Sequence, residues 1–168
     1  MDGIRQARPG DRASIEALIA RVKVAMAAAG LTHWDDAYPG TAEVRRDLSA
    51  GTAFVLDHDD GSVCAVMTLD RNPPPEYADV VWGAPMRRSL FVHRLAVCPA
   101  MRRQGLARRM MSFAEHHARG LGLMALKLDA YRDNPGASRL YPALGYAHTG
   151  QVWYPPHPAP FLTFERIL

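Results

Sequence analysis

Residues 93–111 read HRLAVCPAMRRQGLARRMM. The segment SLFVHRLAV, 89–97, has the apolar, β-branched character of a strand, and residues 105–118 place Leu106, Met110, Phe113 and Ala114 on one face of a helix. Between them stands RRQGLA, Arg102 to Ala107, with the spacing R-x-x-G-x-A. A strand that runs into a turn which opens a helix aims several unpaired backbone N–H groups in one direction, and the helix dipole adds partial positive charge there. The chemistry on offer is anion binding, of a phosphate above all. Gly105 keeps a Cβ out of the way of a close-lying ligand, Ala107 nearly does the same, and Arg102, Arg103, Arg108 and Arg109 surround the turn with charge. The best-known phosphate loops do not fit, since neither G-x-x-x-x-G-K-[ST] nor G-x-G-x-x-G near the first strand occurs.

The elements that must carry this turn can be read along the chain. GIRQA, 3–7, reads as a short first strand, and PGDRASIEALIARVKVAMAAAG as a helix capped by Asp11, stopped by Gly30, and marked by Ile15, Leu18, Ile19, Val22 and Met26 at helical spacing. LTHWDDAYPG reads as a loop and TAEVRRDLSAG as a second helix closed by Gly51. TAFVLDHDDGSVCAVMTL is two β-rich runs around Asp60-Gly61, a hairpin signal. Residues 71–88, RNPPPEYADVVWGAPMRR, carry four prolines and a Trp82 that reads as exposed, and form a loop long enough to have a task. LMALKLDAY completes a strand, helix, strand unit, which demands parallel strands and a right-handed crossover. NPGASRLY reads as a helix with Asn134 as cap and Pro135 at its first position, followed by strands in GYAHTGQVWY and APFLTFERIL. The expected class is α/β (α+β mixed sheet), a mostly antiparallel central sheet with one parallel βαβ unit and helices on both faces, in a single domain spanning 1–168.

Composition narrows the function classes. With 168 residues, 48% hydrophobic and 22% charged, the chain reads as globular rather than disordered or fibrous. No apolar run approaches the roughly 18 residues of a spanning helix, and MDGIRQARPGD lacks the basic-then-apolar order of a signal peptide, so a cytoplasmic location with no membrane partner is expected. Cys64 and Cys98 have no C-x-x-C partner and read as buried thiols, with neither zinc nor a disulfide implied. The net charge of +3 is spread along the chain, and is too weak a signal to imply nucleic-acid binding.

Leu95, Val97 and Pro99 give an L-x-V-x-P pattern before RRQGLA, and together these resemble the acetyl-CoA signature of the GNAT family of N-acetyltransferases. DNPGASRLYPALGYAHTG, 133–150, resembles the later motif of that family, in which an Asn opens a helix, a Tyr follows seven residues on and a Gly-aromatic pair starts the next strand. IRQARPGD and HWDDAYP are looser likenesses, and Pro142 departs from the pattern, with the kink an interior proline imposes on its helix. The resemblance implies a GNAT-like fold and acetyl-CoA as co-substrate. It implies that the backbone of Leu95, Ala96 and Val97 pairs with the pantetheine arm and that Arg102, Arg103, Gln104, Gly105, Leu106, Ala107 and Arg108 hold the pyrophosphate, with Asn134 either a cap, a pantetheine contact, or both.

It also implies direct transfer of an acetyl group to a primary amine through a tetrahedral intermediate; no Ser or Cys nucleophile stands in a usable motif, which disfavours a covalent acyl-enzyme, and with no metal-ligand cluster in the sequence no metal is expected. Tyr141 is the candidate general acid, its phenol able to donate to the departing thiolate. His93, two residues before Leu95, is the candidate base, with Glu76 and Asp129 as alternatives, because an imidazole of pKa about 6.5 can take the proton of an ammonium. Trp34, Tyr38, Tyr77 and Trp82 are candidate acceptor-binding residues, with His33, Asp35, Asp36 and Glu43 bordering the same region. His116 and His117 read as facing solvent. The expected acceptor is a small-molecule amine, and the expected assembly a monomer or homodimer. A non-catalytic acyl-CoA sensor of the same fold, or a module using RRQGLARR as a nucleic-acid patch, are the rival readings.

Overall fold

A computed structural model of the chain describes residues 3–168, so Met1 and Asp2 of the amino-terminal stretch lie outside it. In order the elements are β1 (Ile4–Gln6), α1 (Arg12–Ala28), α2 (Thr41–Ser49), β2 (Ala53–Asp57), β3 (Val63–Asp70), β4 (Ser89–Val97), α3 (Leu106–Gly120), β5 (Ala125–Tyr131), α4 (Pro135–Ala143), β6 (Ala147–Val152) and β7 (Phe161–Ile167). The strands form one mixed sheet in the order β1-β2-β3-β4-β5-β7-β6. β4 and β5, joined by α3, pair in parallel from Ser89↔Ala125 to Phe91↔Lys127. The pairs β1 with β2, β2 with β3, β5 with β7 and β6 with β7 are antiparallel. This is the mixed sheet with one βαβ unit that the sequence predicts.

Two compact units are distinguishable, one made of residues up to Leu69 with Arg94–Phe113, the other of Asp70–His93 with Ala114–Leu168. In the first, Ile15, Leu18, Ile19, Val22 and Met26 of α1 are buried against Ala53, Val55, Val63 and Val66, the helical spacing meeting strand neighbours. Asp11 does not cap α1 as expected, for its side chain makes no cap bond. Its carboxylate instead takes the Arg5 guanidinium at 2.7 and 2.9 Å and the Arg8 N–H at 2.6 Å, and Arg5 holds its carboxyl down at about 2. A charge-assisted bond to a guanidinium is stronger than the neutral amide bonds of a cap. The β2–β3 turn closes where Asp60-Gly61 predicts, with the Asp60 carboxylate accepting Ser62 N–H at 2.8 Å and Gly61 at φ +81. Cys64 is buried and its thiol donates to the Leu56 carbonyl at 3.3 Å, while Cys98 is half-buried.

In the second unit the long segment 71–88 is pinned rather than loose. It contains two short 3-10 turns, Pro75–Asp79 and Met86–Arg88. Trp82, read as exposed from its proline-rich setting, is half-buried: its Nε1 donates to the Tyr77 carbonyl at 3.1 Å and its ring lies 5.0 Å from that of Tyr77. The ammonium of Lys127, itself fully buried, sits 4.9 Å over the same indole and pairs with Glu165 at 3.4 Å. Glu165 in turn accepts the N–H groups of Gly83 and Ala84 at 2.7 and 2.9 Å, and a Cβ on Gly83 would lie 2.8 Å from its Oε2. A buried ion pair from β5 and β7 thus fastens the segment through its backbone. Trp82→Ala is accordingly expected to cost about 3 kcal/mol of stability by uncovering Tyr77 and Lys127, measured as a lowered denaturant midpoint.

Candidate active site

In the first unit, β4 ends where the Cys98 N–H donates to the Cys64 carbonyl at 2.8 Å, and Pro99–Met101 make one 3-10 turn. Arg102 is extended, Arg103 takes φ 63 and Gly105 φ 78, after which α3 begins at Leu106. Arg109 N–H closes the first helical turn on the Gly105 carbonyl at 3.0 Å, which leaves the N–H groups of Leu106, Ala107 and Arg108 without an earlier turn to meet. Residues 102–105 are exposed, and a Cβ built on Gly105 meets no atom within 4 Å. The turn therefore has both the donors and the open approach that an anion requires.

Arg94 stands at the head of the segment Leu95–Val97 and is a left-handed residue, φ 52, inside a strand. Such a conformation costs a residue with a Cβ about 1–2 kcal/mol. What holds it is a nearly buried fork: its guanidinium gives two bonds to the Asp47 carboxylate, at 2.9 and 2.8 Å, and a third to the Tyr38 hydroxyl at 3.2 Å. Asp47 is steadied in turn by the buried Thr68 hydroxyl at 2.7 Å. Arg94→Ala is expected to cost about 3–5 kcal/mol, since it leaves the buried Asp47 carboxylate with the Thr68 hydroxyl and only a long ion pair to Arg46 at 3.9 Å. Arg94→Gly should cost about 1 kcal/mol less, because glycine alone is indifferent to this φ; chemical denaturation of the two variants checks the difference.

The second unit holds the groups that can move protons. His93 Nε2 lies 3.3 Å from the Asp70 carboxylate, so the imidazole is oriented by an acid. Asp129 on β5 accepts the Tyr77 hydroxyl at 3.0 Å and the Tyr154 hydroxyl at 2.9 Å on the same oxygen, and burial pushes its carboxyl up from the ordinary range. Tyr141, on α4, is buried with its ring 5.6 Å from Phe164 and 6.0 Å from Tyr146. Burial and the nearby charge of Asp129 push its phenol above the ordinary tyrosine value. Among the described residues the Tyr141 hydroxyl meets no hydrogen-bond partner. Pro142 does not expel it, because α4 runs only to Ala143 and the proline falls in its last turn, where Gly145 N–H closes on the Pro142 carbonyl at 2.9 Å. Asn134 caps that helix, its Oδ1 accepting Gly136 and Ala137 N–H at 3.1 and 3.4 Å.

The other singled-out residues divide by task. Trp34 packs on the core of the first unit and Tyr38 is 41% exposed with its hydroxyl on Arg94. Asp35 and Glu43 fasten local backbone, accepting the N–H groups of Ala37 and Tyr38, and of Gly40, respectively. Tyr77 is fully buried, so what it offers is the hydroxyl on Asp129. His116 is exposed, whereas His117 is half-buried and its imidazole pKa is lowered by burial. Asp47, Asp70 and Tyr154 were not legible as partners. They lie 47, 23 and 25 positions from Arg94, His93 and Asp129, and no local spacing signals such pairs.

Residues 23–146 match the family model described as "Acetyltransferase (GNAT) family", and the chain belongs to that family. It is an acyl-CoA-dependent N-acetyltransferase, with acetyl-CoA the co-substrate characteristic of the family. It is 27% identical over 143 residues to the uncharacterized N-acetyltransferase YesJ of Bacillus subtilis, covering 83% of this chain and 78% of YesJ. Among solved structures it is similar to a GNAT-family acetyltransferase from Streptococcus agalactiae, at 25% identity and TM-score 0.83, over 98% of this chain and 94% of that one. It shares its fold with yncA from Salmonella typhimurium, a structure described with its cofactor acetyl-CoA, at 19% identity and TM-score 0.72, over 98% and 92% of the two chains. No helix among the described residues is long and apolar enough to cross a membrane.

Proposed function

We propose that the protein moves the acetyl group of acetyl-CoA to the primary amine of a small molecule by direct attack, as one catalytic domain. The observation that carries this reading is the state of Tyr141: of the three tyrosines that sense Asp129, Tyr77 and Tyr154 spend their hydroxyls on it, while Tyr141, a buried residue, has a hydroxyl with no hydrogen-bond partner among the described residues. A donor kept protonated and unused is what a departing thiolate needs. His93, oriented by Asp70, takes the amine proton; the amine nitrogen then attacks the thioester carbonyl, whose oxygen gathers charge near the Leu95 N–H. Collapse breaks the carbon–sulfur bond, the thiolate meets the Tyr141 O–H, and the remaining excess proton on nitrogen passes to the thiolate, giving the amide and the free thiol of CoA.

The raised pKa of Tyr141 defines how it acts. Complete proton transfer from such a phenol to a thiolate of ordinary thiol pKa, about 8.5, is uphill, so Tyr141 works chiefly as a hydrogen-bond donor to the developing negative sulfur. The turn from Arg102 to Arg108 holds the pyrophosphate through backbone N–H groups, Leu95, Ala96 and Val97 pair with the pantetheine arm through theirs, and Asn134 serves the same arm besides capping α4. The segments 33–38 and 71–88, with Trp34, Tyr38 and Trp82, are assigned to acceptor recognition, and Tyr77, fully buried, acts there only through its hydroxyl on Asp129. The test is thiol release from acetyl-CoA over a panel of small amines: amine-dependent release supports the reading, and tight CoA binding with no release for any amine would make the protein a sensor instead.

A further inference from the structure

Asp129, and Glu76 whose charge reaches it, differ from four other carboxylates of the second unit. Asp70 faces His93, Glu165 faces Lys127, Glu115 faces Arg166 and Asp133 faces Arg132. Among the described residues Asp129 pairs with no lysine or arginine, and its Oδ1 accepts no hydrogen bond. Both of its bonds fall on Oδ2, from the phenols of Tyr77 in segment 71–88 and Tyr154 in the β6–β7 connection. Two neutral donors on one oxygen fix the plane of the carboxylate without cancelling its charge. The group is only half-buried, and it lies close enough to act on Tyr141 and to be acted on by His93, the two side chains assigned to proton movement. A carboxylate fixed by neutral donors, with Glu76 as a second acidic group near it and no lysine or arginine among the described residues paired with it, is suited to receive a cation from outside the chain.

We infer that Asp129 Oδ1 receives a positively charged group of the acceptor, and that the preferred acceptors carry a second cationic centre besides the amine to be acetylated. The reacting nitrogen itself is the wrong partner, since a carboxylate next to an ammonium holds its proton on and so opposes the deprotonation that attack requires. A second ammonium meets no such conflict. The class is therefore short diamines and longer polycations, in preference to monoamines, and against amino acids whose own carboxylate would be repelled by Asp129.

The inference rests on the amine-acetylating reading of the site, and the test separates the two. Binding to the CoA-saturated protein is measured by calorimetry for putrescine and cadaverine, each beside the amino alcohol and the ω-amino acid of equal chain length. The expected order is diamine, amino alcohol, amino acid, with at least about 10-fold between diamine and amino alcohol. In Asp129→Asn the amide oxygen can still accept both phenols, so the fold is kept and the order should flatten to near equality. A wild-type protein that binds the three classes alike, or none of them, overturns the assignment, and so does a preference that survives in Asp129→Asn. The wild-type order decides the matter even if that variant does not fold. Thiol release with the same compounds is read separately: charge-ordered binding without release would sink the acetyl-transfer reading alone, and release without charge order would sink the Asp129 assignment alone.

Discussion

Tyr141→Phe is expected to lower kcat about 10²-fold while leaving the KM for acetyl-CoA and the melting temperature nearly unchanged. The change keeps the ring, whose contacts with Phe164 and Tyr146 place it in the core of its unit, and removes one hydroxyl that no described residue uses. Stability should not register the loss, because no protein hydrogen bond is broken. The reaction should register it, because a donor to a developing negative charge in a site shielded from water is worth about 10²–10³ in rate. Thiol-release kinetics with the best amine of the panel, beside a thermal melt, check both halves. A two- or three-fold loss would mean that solvent replaces the phenol and that Tyr141 is a packing residue. Tyr77→Phe is the contrast: its hydroxyl is bonded to Asp129, so that variant should lose stability as well as activity.

The second large effect lies at the turn. Gly105→Glu is expected to weaken CoA binding by about 10²-fold or more, seen as the disappearance of the thermal stabilisation that saturating CoA gives the wild-type protein. Two causes act together. Gly105 stands at φ +78, where a side chain is strained, and the space above it is open, so the new carboxylate would occupy the approach to the helix N-terminus. Gly105→Ala separates them, because it keeps the strain and omits the charge; it should bind CoA within several-fold of wild type. If the glutamate variant folds and CoA still protects it fully, the pyrophosphate does not lie at this turn.

Much of the architecture is legible in local patterns. The helical spacing of Ile15, Leu18, Ile19, Val22 and Met26 predicts α1, and all five are buried. Asp60-Gly61 predicts the hairpin, and Asn134 with Pro135 predicts the start of α4, because turns and caps are decided by residues a few positions apart. The turn 102–105 is legible for the same reason: its geometry follows from a strand end, a glycine and a helix start in immediate succession. Family resemblance, carried by two short motifs, agrees with the family match over residues 23–146.

Long-range pairing is where local reading stops. Asp11 sits where a cap belongs, yet Arg5 takes its carboxylate, and which of the two wins depends on a strand neighbour, Asp57, that shares the same guanidinium. Trp82 lies among prolines and reads as exposed until β5 and β7 bring Lys127 and Glu165 beneath its segment. The residue types available for proton transfer, His93, Asp129 and Tyr141, are evident from the chain itself. That His93 is oriented by Asp70, that Tyr77 and Tyr154 converge on one oxygen of Asp129, and that Tyr141 is left with an unused hydroxyl are matters of tertiary structure. The physical reason is that a side chain's chemistry is intrinsic, whereas its protonation state, orientation and freedom are determined by partners that only the folded sheet brings within 3 Å or so.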